Sequence, residues 1–471
     1  MQFSKTAQKS KKKKIKRCSV HPASFRDPSG SVFFKDGQLY REVSFKYENN
    51  YEYLINSGLF KNLVKDKLLI PHKEIVPKKK KDIYKIIKPA LIPFISYPYE
   101  WCFSQLKDAA LLTLEITKIS LKYGMILKDA SAFNVQFFQG KPIFIDTLSF
   151  EKYKEGAPWD AYQQFCRHFL APLLLAYYKD YRLIQLSKIF LDGIPLDLAS
   201  KLLPPKSYLN FSVLSNIHMH AKAEKSMESK FIRRRGASVS KTSLLAILDN
   251  LQNLISGLKI KTTKSEWQDY YKESNYTSSS LQAKKRIVKS FIKEIPTIKS
   301  IWDLGANTGY FSKDTTTKDV TIINFDNDLL AIKKNYEDVR RRKLKNILPL
   351  VADLTNPSPG IGWMNEERES LIDRGPCDVA FALALVHHLA ISNNLPFTNI
   401  ADFFNKICRW LIIEFVPKKD SQIKKMLINR EDVFENYNQA NFEKYFSNDF
   451  LISKKVGIPG SKRVMYLMKK K

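Results

Sequence analysis

Cysteine is scarce in this chain: Cys18, Cys102, Cys166, Cys377 and Cys408 are the five in 471 residues. No CxxC pair is present, and no spacing builds a zinc site or a disulfide framework, which excludes a stapled secreted scaffold and fits a reducing cytoplasm. Long apolar runs are missing as well. The strongest, residues 169–178, is too short to cross a bilayer and predicts a buried helix, so no transmembrane segment is expected. The Lys-rich N-terminus is not followed by an apolar stretch, which excludes a secretory signal. Negative charge is in short supply, with 47 Asp and Glu against 78 Lys and Arg, a net +31. That balance favours anionic partners, nucleic acid among them, although lysine spread evenly beside Ile and Asn is more simply a solvated surface. No repeat at solenoid period occurs.

What is present is ample material for packed cores, 44% hydrophobic and 12% aromatic, in a chain longer than one core usually serves. Residues 1–27 contain the run Lys11-Lys12-Lys13-Lys14-Ile15-Lys16-Arg17 and predict a disordered basic tail, most simply solubilising, with an anchor to nucleic acid or anionic membrane as the alternative. An α+β domain is expected over 28–217, a basic helical linker over 218–264 and a second domain over 265–471. Asp36-Gly37 and Gln139-Gly140 each sit between alternating segments and predict tight hairpins. Residues 101–123 read as one long helix. Residues 218–264 turn polar and basic around Arg233-Arg234-Arg235, an exposed connector with an amphipathic helix at 244–258.

In the last two hundred residues, Ile301-Trp302-Asp303-Leu304-Gly305-Ala306-Asn307-Thr308-Gly309 reads as strand, glycine-containing turn and helix start. Such a turn lets a ligand approach backbone and free N–H groups. Alone it is a weak signal, shared with structural turns. Order adds specificity. Residues 320–325 form the next strand and end in Asp326, where an acidic side chain meets ribose hydroxyls. Asp353 closes a third strand, 378–386 supply a fourth and 411–416 a fifth, and the chain finishes in a hairpin. Taken singly, Asp326 and Asp353 are equally ordinary strand-end or capping residues.

These features resemble the class I S-adenosylmethionine-dependent methyltransferases, an α/β fold with a seven-stranded Rossmann-like sheet. The resemblance implies S-adenosylmethionine (SAM) as cofactor. It places Asp303 at the methionine amino group or an ordered water, Gly305 and Gly309 beneath it, Asp326 on the ribose and Asp353 at the adenine amino group. Asn307 stands where many members carry glycine. Related enzymes also fold a helical flap over the cofactor, a role available to residues 267–276 with Tyr276, for which core packing is the alternative. Methyl transfer asks for an aligned acceptor and a proton acceptor where needed. His387 and His388, after the fourth strand, and Glu414, ending the fifth, are the candidates, against loop hydrogen bonding for the histidines and a lysine partner for Glu414. No Asn/Asp-Pro-Pro-Tyr run follows the fourth strand, which weighs against amino-group methylation of adenine or glutamine. Cys377 precedes that strand, which weighs against cytosine carbon methylation.

Upstream, Lys128-Asp129-Ala130-Ser131-Ala132-Phe133-Asn134, a hairpin, then Ile143-Phe144-Ile145-Asp146 follow the order of a kinase catalytic loop and metal-binding aspartate. This resembles the C-lobe of kinases and aminoglycoside phosphotransferases, which implies Asp129 orienting a hydroxyl, Asn134 and Asp146 on magnesium, and residues 94–101 as a hinge. Lys128 replaces the usual His-Arg, Thr147-Leu148 replaces Phe-Gly, no glycine-rich phosphate loop precedes, and Arg41 takes the place of a nucleotide lysine. A degenerate domain that positions substrate is therefore preferred to an active kinase, with simple loop capping by Asp129 and Asn134 as the plain alternative. Phrases such as FISYPYEWCFSQLKDAALLTLE and LKDASAFNVQF resemble a two-part, nodulation-protein-like bacterial family from about Asp27 to the end. The expectation is a cytoplasmic methyltransferase with an unidentified acceptor. The alternatives are a non-catalytic nucleic-acid or protein interaction platform, or a bifunctional phosphotransferase and methyltransferase.

Overall fold

The computed structural model describes residues 18–75, 82–222, 238–260, 277–314, 319–428 and 431–471. Residues 1–17 of the basic tail, the Arg233-Arg234-Arg235 run and the 267–276 segment with Tyr276 lie outside the described residues.

The N-terminal half opens with a five-stranded antiparallel sheet, β1 (Cys18–Val20), β2 (Val32–Lys35), β3 (Gln38–Ser44), β4 (His72–Ile75) and β5 (Ile83–Pro89), ordered β1-β2-β3-β5-β4. The tail expected to run to residue 27 thus ends earlier, because Cys18–Val20 finds backbone partners on the edge of β2. The β2–β3 hairpin turns where expected: Asp36 and Gly37 take φ of 51° and 75°, the pair of positive values a twisted two-residue hairpin requires. Two short helices, Glu48–Asn56 and Leu59–Lys65, follow, broken at Gly58.

The helix Phe103–Lys122 is the spine of this half, with twelve of its residues buried. It leads into β6 (Met125–Leu127), β7 (Val135–Phe138), β8 (Lys141–Phe144) and β9 (Phe150–Lys152), which pair as β6 with β9 and β7 with β8. The apolar run predicted to be a buried helix is one, Ala171–Tyr178, entered through a π-helical turn at Cys166–Leu170. Among the described residues no helix is long and apolar enough to cross a membrane.

One expectation changes in character. The helix Lys241–Gly257 forms where an amphipathic helix was predicted, capped by Ser240, but it is not an exposed connector. Leu244, Leu248, Leu251 and Ile255 are buried, and Lys107 on the spine helix donates to the carbonyls of Ser256 and Leu258. The basic composition of the preceding segment belongs to residues before the helix, whereas the helix itself carries an i, i+4, i+7 apolar stripe that a neighbouring surface must cover.

The C-terminal half is built on β10 (Ser300–Leu304), β11 (Thr321–Asp326), β12 (Ile347–Val351), β13 (Cys377–Ala382), β14 (Cys408–Phe415), β15 (Phe450–Gly457) and β16 (Val464–Lys470). They form one seven-stranded sheet in the order β12-β11-β10-β13-β14-β16-β15. The first five strands are parallel, and the terminal hairpin adds β16 antiparallel to β14, with β15 outside it. Their near-continuous apolar sequences suit strands covered on both faces. All five parallel strands point their carboxyl ends to one edge, where open α/β sheets receive ligands.

The halves share one continuous buried cluster that includes Phe94, Trp101 and Leu106 from the first and Trp302, Phe325 and Leu350 from the second. Segment 94–101, expected as a hinge, connects β5 to the spine helix and is held firmly in place. Phe94 packs edge-on to Trp302 and Phe325. Glu100 receives both ends of the Arg374 guanidinium, Nη2 at 2.5 Å and Nη1 at 2.9 Å, with side-chain exposures of 1% and 3%. Ser358 also donates to Glu100, and Arg374 reaches the Ile95 carbonyl. Removing one member leaves the other charge buried without a partner. Glu100→Ala is therefore expected to cost about 3–5 kcal/mol in denaturant unfolding, and hydrogen exchange should show residues 355–374 losing protection before the sheet does.

Candidate functional site

At the carboxyl edge of the parallel strands lies a cavity of about 330 Å³. Its floor is the turn after β10. Gly305, Asn307 and Gly309 all take left-handed φ, 72°, 50° and 71°. Asparagine tolerates that region better than other non-glycine residues, so the departure from a glycine at 307 preserves the backbone path. The Asn307 side chain then accepts from the Thr308 N–H, while the Asn307 backbone N–H donates to Asp326 Oδ2 at 2.7 Å. Gly309 is required for a different reason: a Cβ there would stand 2.5 Å from the Asn324 amide nitrogen.

Asp326 ends β11 and lines the cavity. Its second oxygen accepts from the Asp328 N–H, so both oxygens are oriented by backbone while keeping lone pairs for a ligand. Burial pushes its acid up to about 6, against the pull of those N–H groups. Asp353, just after β12, also lines the cavity and is exposed. Its Oδ1 takes the Thr355 N–H and hydroxyl, so it serves as a turn cap at the same time. Asp303 lies underneath: it is 2% exposed and does not line the cavity. Burial pushes its acid up to about 7, moderated by a Ser312 hydrogen bond and the Lys284 ammonium.

The opposite wall comes from the end of β13. Leu383, Ala384 and Leu385 line it, and Ala384 holds φ 55°, a strained value for a residue with a Cβ. The two histidines part company. His388 lines the cavity, with its pKa pushed down to about 4 by burial and then by Arg463. His387 is fully buried behind it, its ring 4.3 Å from that of His388, and burial holds it neutral. Glu414 takes the lysine partner and not the acceptor. It is wholly buried, lies 2.5 Å from Lys284 Nζ and 3.3 Å from Arg463 Nη1, and does not reach the cavity. Its partners come from the helix Ser278–Glu294 and from the residue before β16, contacts that strand position alone does not reveal.

Lys284, Phe311, Ser392 and Asn393 also line the cavity and were not singled out in the sequence. A signal for Lys284 existed: it sits with Ser280, Val288 and Phe291 in the buried stripe of its helix, a lysine at a core position.

In the N-terminal half, Asp129, Asn134 and Asp146 do come together. Asp129 is held by Asn134, Gln164 and the Ser131 N–H, with burial and then Asp146 raising its acid. Asp146 is engaged by Arg41 Nη1 at 2.6 Å and by the Leu148 N–H, and Arg41 is shared with Asp27 at 2.9 Å. Among the described residues no cluster of three His, Cys, Asp or Glu side chains is arranged to hold a metal ion.

No protein-family model matches the chain. Nodulation protein NoeA of Rhizobium meliloti strain 1021 is 35% identical over 453 residues, covering 94% of each chain. Among solved structures, N-methyltransferase NodS of Bradyrhizobium japonicum WM9 aligns with 41% of this chain and 97% of its own, at 8% identity and a TM-score of 0.30. Magnesium protoporphyrin IX methyltransferase ChlM of Synechocystis PCC 6803, solved with bound SAH, aligns over 44% and 93%, at 14% identity and 0.31. WbdD, crystallised with a kinase inhibitor, aligns over 46% and 47%, at 14% identity and 0.29.

The turn geometry makes a sharp expectation. Asn307→Gly should leave the melting temperature close to that of the wild type and ligand affinity within about threefold. Asn307→Val should cost about 1–2 kcal/mol through its left-handed backbone, and Gly309→Ala should lower the melting temperature by displacing Asn324.

Proposed function

The chain belongs to the family of the nodulation protein NoeA, and from the geometry of its C-terminal cavity we propose that it is an S-adenosylmethionine-dependent methyltransferase. One observation carries the reading. The left-handed turn at 305–309 is tied through Asn307 to Asp326, with Asp353 at the next strand end, on a sheet that finishes in an antiparallel hairpin. The residues fit the cofactor: Asp326 offers lone pairs for ribose hydroxyls, Asp353 an acceptor at the far end, and Leu354, Leu383 and Leu385 apolar walls for a ring.

When bound, SAM supplies a methyl group on a sulfonium, so the protein's task is mostly alignment. His388 is the residue best placed to meet an acceptor. With its pKa near 4 it is neutral at physiological pH and a weak base, so we assign it hydrogen-bond acceptance from an acceptor O–H or N–H ahead of full proton removal. His387 supports its ring from behind. Ser392 and Asn393 complete that rim.

The N-terminal half is proposed to be kinase-like in fold and to position the acceptor. Its run of β3, two helices, β4, β5, spine helix, β6, Asp129 loop, β7, β8, Asp146 and β9 supports that reading. Phosphotransfer is disfavoured because Arg41 occupies the Asp146 carboxylate that would hold magnesium. The convergence of Asp129, Asn134 and Asp146 keeps magnesium ATP as a second arm of the test.

Calorimetric titration of the whole chain should give saturable SAM binding, weakened ten- to hundredfold in Asp326→Ala by loss of hydrogen bonds to a charged group, and no heat with magnesium ATP. Folded protein without SAM binding would sink the enzyme reading and favour the interaction platform. With labelled SAM and fractionated cell extract, methyl incorporation should fall in His388→Ala. At saturating SAM, wild-type incorporation should persist at pH 6 and fall as pH drops through about 4, where His388 becomes protonated.

A further inference from the structure

Exposed apolar side chains that occur singly need no explanation, whereas a contiguous group of them marks a surface that meets something other than water. Such a group lies on the N-terminal half. Leu209 is 89% exposed, Phe211 75% and Met219 58%, and Leu202 and Tyr208 join them at lower exposure. All five belong to a succession of short helical pieces, Leu196–Leu202, Pro205–Leu209, Phe211–Val213 and Leu214–Met219. None of the five lines the cofactor cavity.

These side chains stand out on a rigid support. His218 is buried beneath them, with Ser200 Oγ 2.7 Å from its Nδ1 and Ser207 Oγ 2.9 Å from its Nε2. The Tyr208 ring stacks on that imidazole, centroids 3.7 Å apart, which sets it beside Met219. Asn210 accepts from the Val213 N–H and so fixes Leu209 and Phe211 on either side of a helix cap. Asn250, on the helix Lys241–Gly257, donates to the Ser212 hydroxyl. The charges around the group have one sign. Residues 198–222 contain Lys201, Lys206 and Lys222, no arginine, and no Asp or Glu. All three lysines are exposed. Lys201 has Asp197 at 3.5 Å in an exposed i, i+4 pair, a weak hold. Lys206 Nζ stands 5.8 Å from the centroid of the Tyr178 ring, which brings the end of the helix Ala171–Tyr178, with exposed Tyr177, to the rim. Asp180, just beyond, is taken by Arg182.

Protein interfaces are depleted in lysine and take arginine as their cation. A tip of Leu, Phe and Met with tyrosines at the rim and a lysine collar is instead the composition that enters a bilayer surface. There apolar groups reach the acyl boundary, tyrosine sits at headgroup level and ammonium groups meet lipid phosphates. We propose that this face docks the chain on an anionic membrane surface, with Leu209 and Phe211 inserted and Lys201, Lys206 and Lys222 at the headgroups. Such docking needs no spanning helix, and it stands apart from the cofactor reading above.

The test floats the full chain with phosphatidylcholine vesicles, with and without about one quarter phosphatidylglycerol. The wild type should rise with the anionic vesicles and less with the neutral ones. Leu209→Ser combined with Phe211→Ser should weaken that binding about tenfold. Its melting temperature and its titration with SAM should match the wild type, since both side chains are exposed and lie outside the cavity. Lys206→Gln and Lys222→Gln should each cost about fivefold. Leu209→Trp, which keeps the tip apolar, should bind as the wild type does and gain quenching by brominated lipid beyond the wild type's. Vesicle binding that survives the serine pair and vanishes at about 1 M salt belongs to the basic N-terminal run and overturns the proposal. Absence of wild-type binding overturns it as well. So does a wild type that ignores vesicles but self-associates until the serine pair disperses it, which gives the face to a second copy.

Discussion

The ion pair between Glu100 and Arg374 is the constraint on which the rest of the molecule turns. Two charges at 1% and 3% exposure tolerate no slack, because neither can recover its hydration without opening the core. Arg374 belongs to the long connection between β12 and β13, whose first residues form the Asp353 end of the cavity. The same connection is held again at Glu367 by Arg26, at Glu369 by the Tyr97 hydroxyl, and at Arg368, which lies over the Phe133 ring. One wall of the candidate cofactor site is thus built on contacts with the N-terminal half.

The same economy of charge recurs twice more. Behind the cavity, Lys284, Glu414, Arg463 and Asp420 neutralise one another in sequence. In the N-terminal half, Asp27, Arg41 and Asp146 do so around a guanidinium. In a chain of net +31, the buried carboxylates have cations within reach, and arginine, with its planar fork and permanent charge, takes the sites where two acceptors must be met at once.

What could be read from the sequence was whatever local backbone demands. The hairpin at Asp36-Gly37, the turn at 305–309 and the acidic strand ends each impose a conformation or a position that neighbouring residues betray. Asn307 was legible as an oddity, and its left-handed φ explains it. What escaped were contacts between residues distant along the chain. For Glu414 the strand position left open an acceptor or a lysine partner; the structure gives it Lys284, and adds Arg463, 49 residues away. His387 and His388 are adjacent, yet the chain turns enough between them to put one in the cavity and the other behind it. The N-terminal tail ran shorter than its composition suggested, since three residues of it pair with β2.

The helix Lys241–Gly257 lies against the spine helix Phe103–Lys122, more than a hundred residues upstream. As a ribosome delivers the chain in order, the first half emerges with one side of its central helix uncovered, and that side is closed only after residue 257 has cleared the exit. Residues 241–257 therefore belong with the first half in their packing, and the change to polar, basic composition at 218 does not mark where that packing ends.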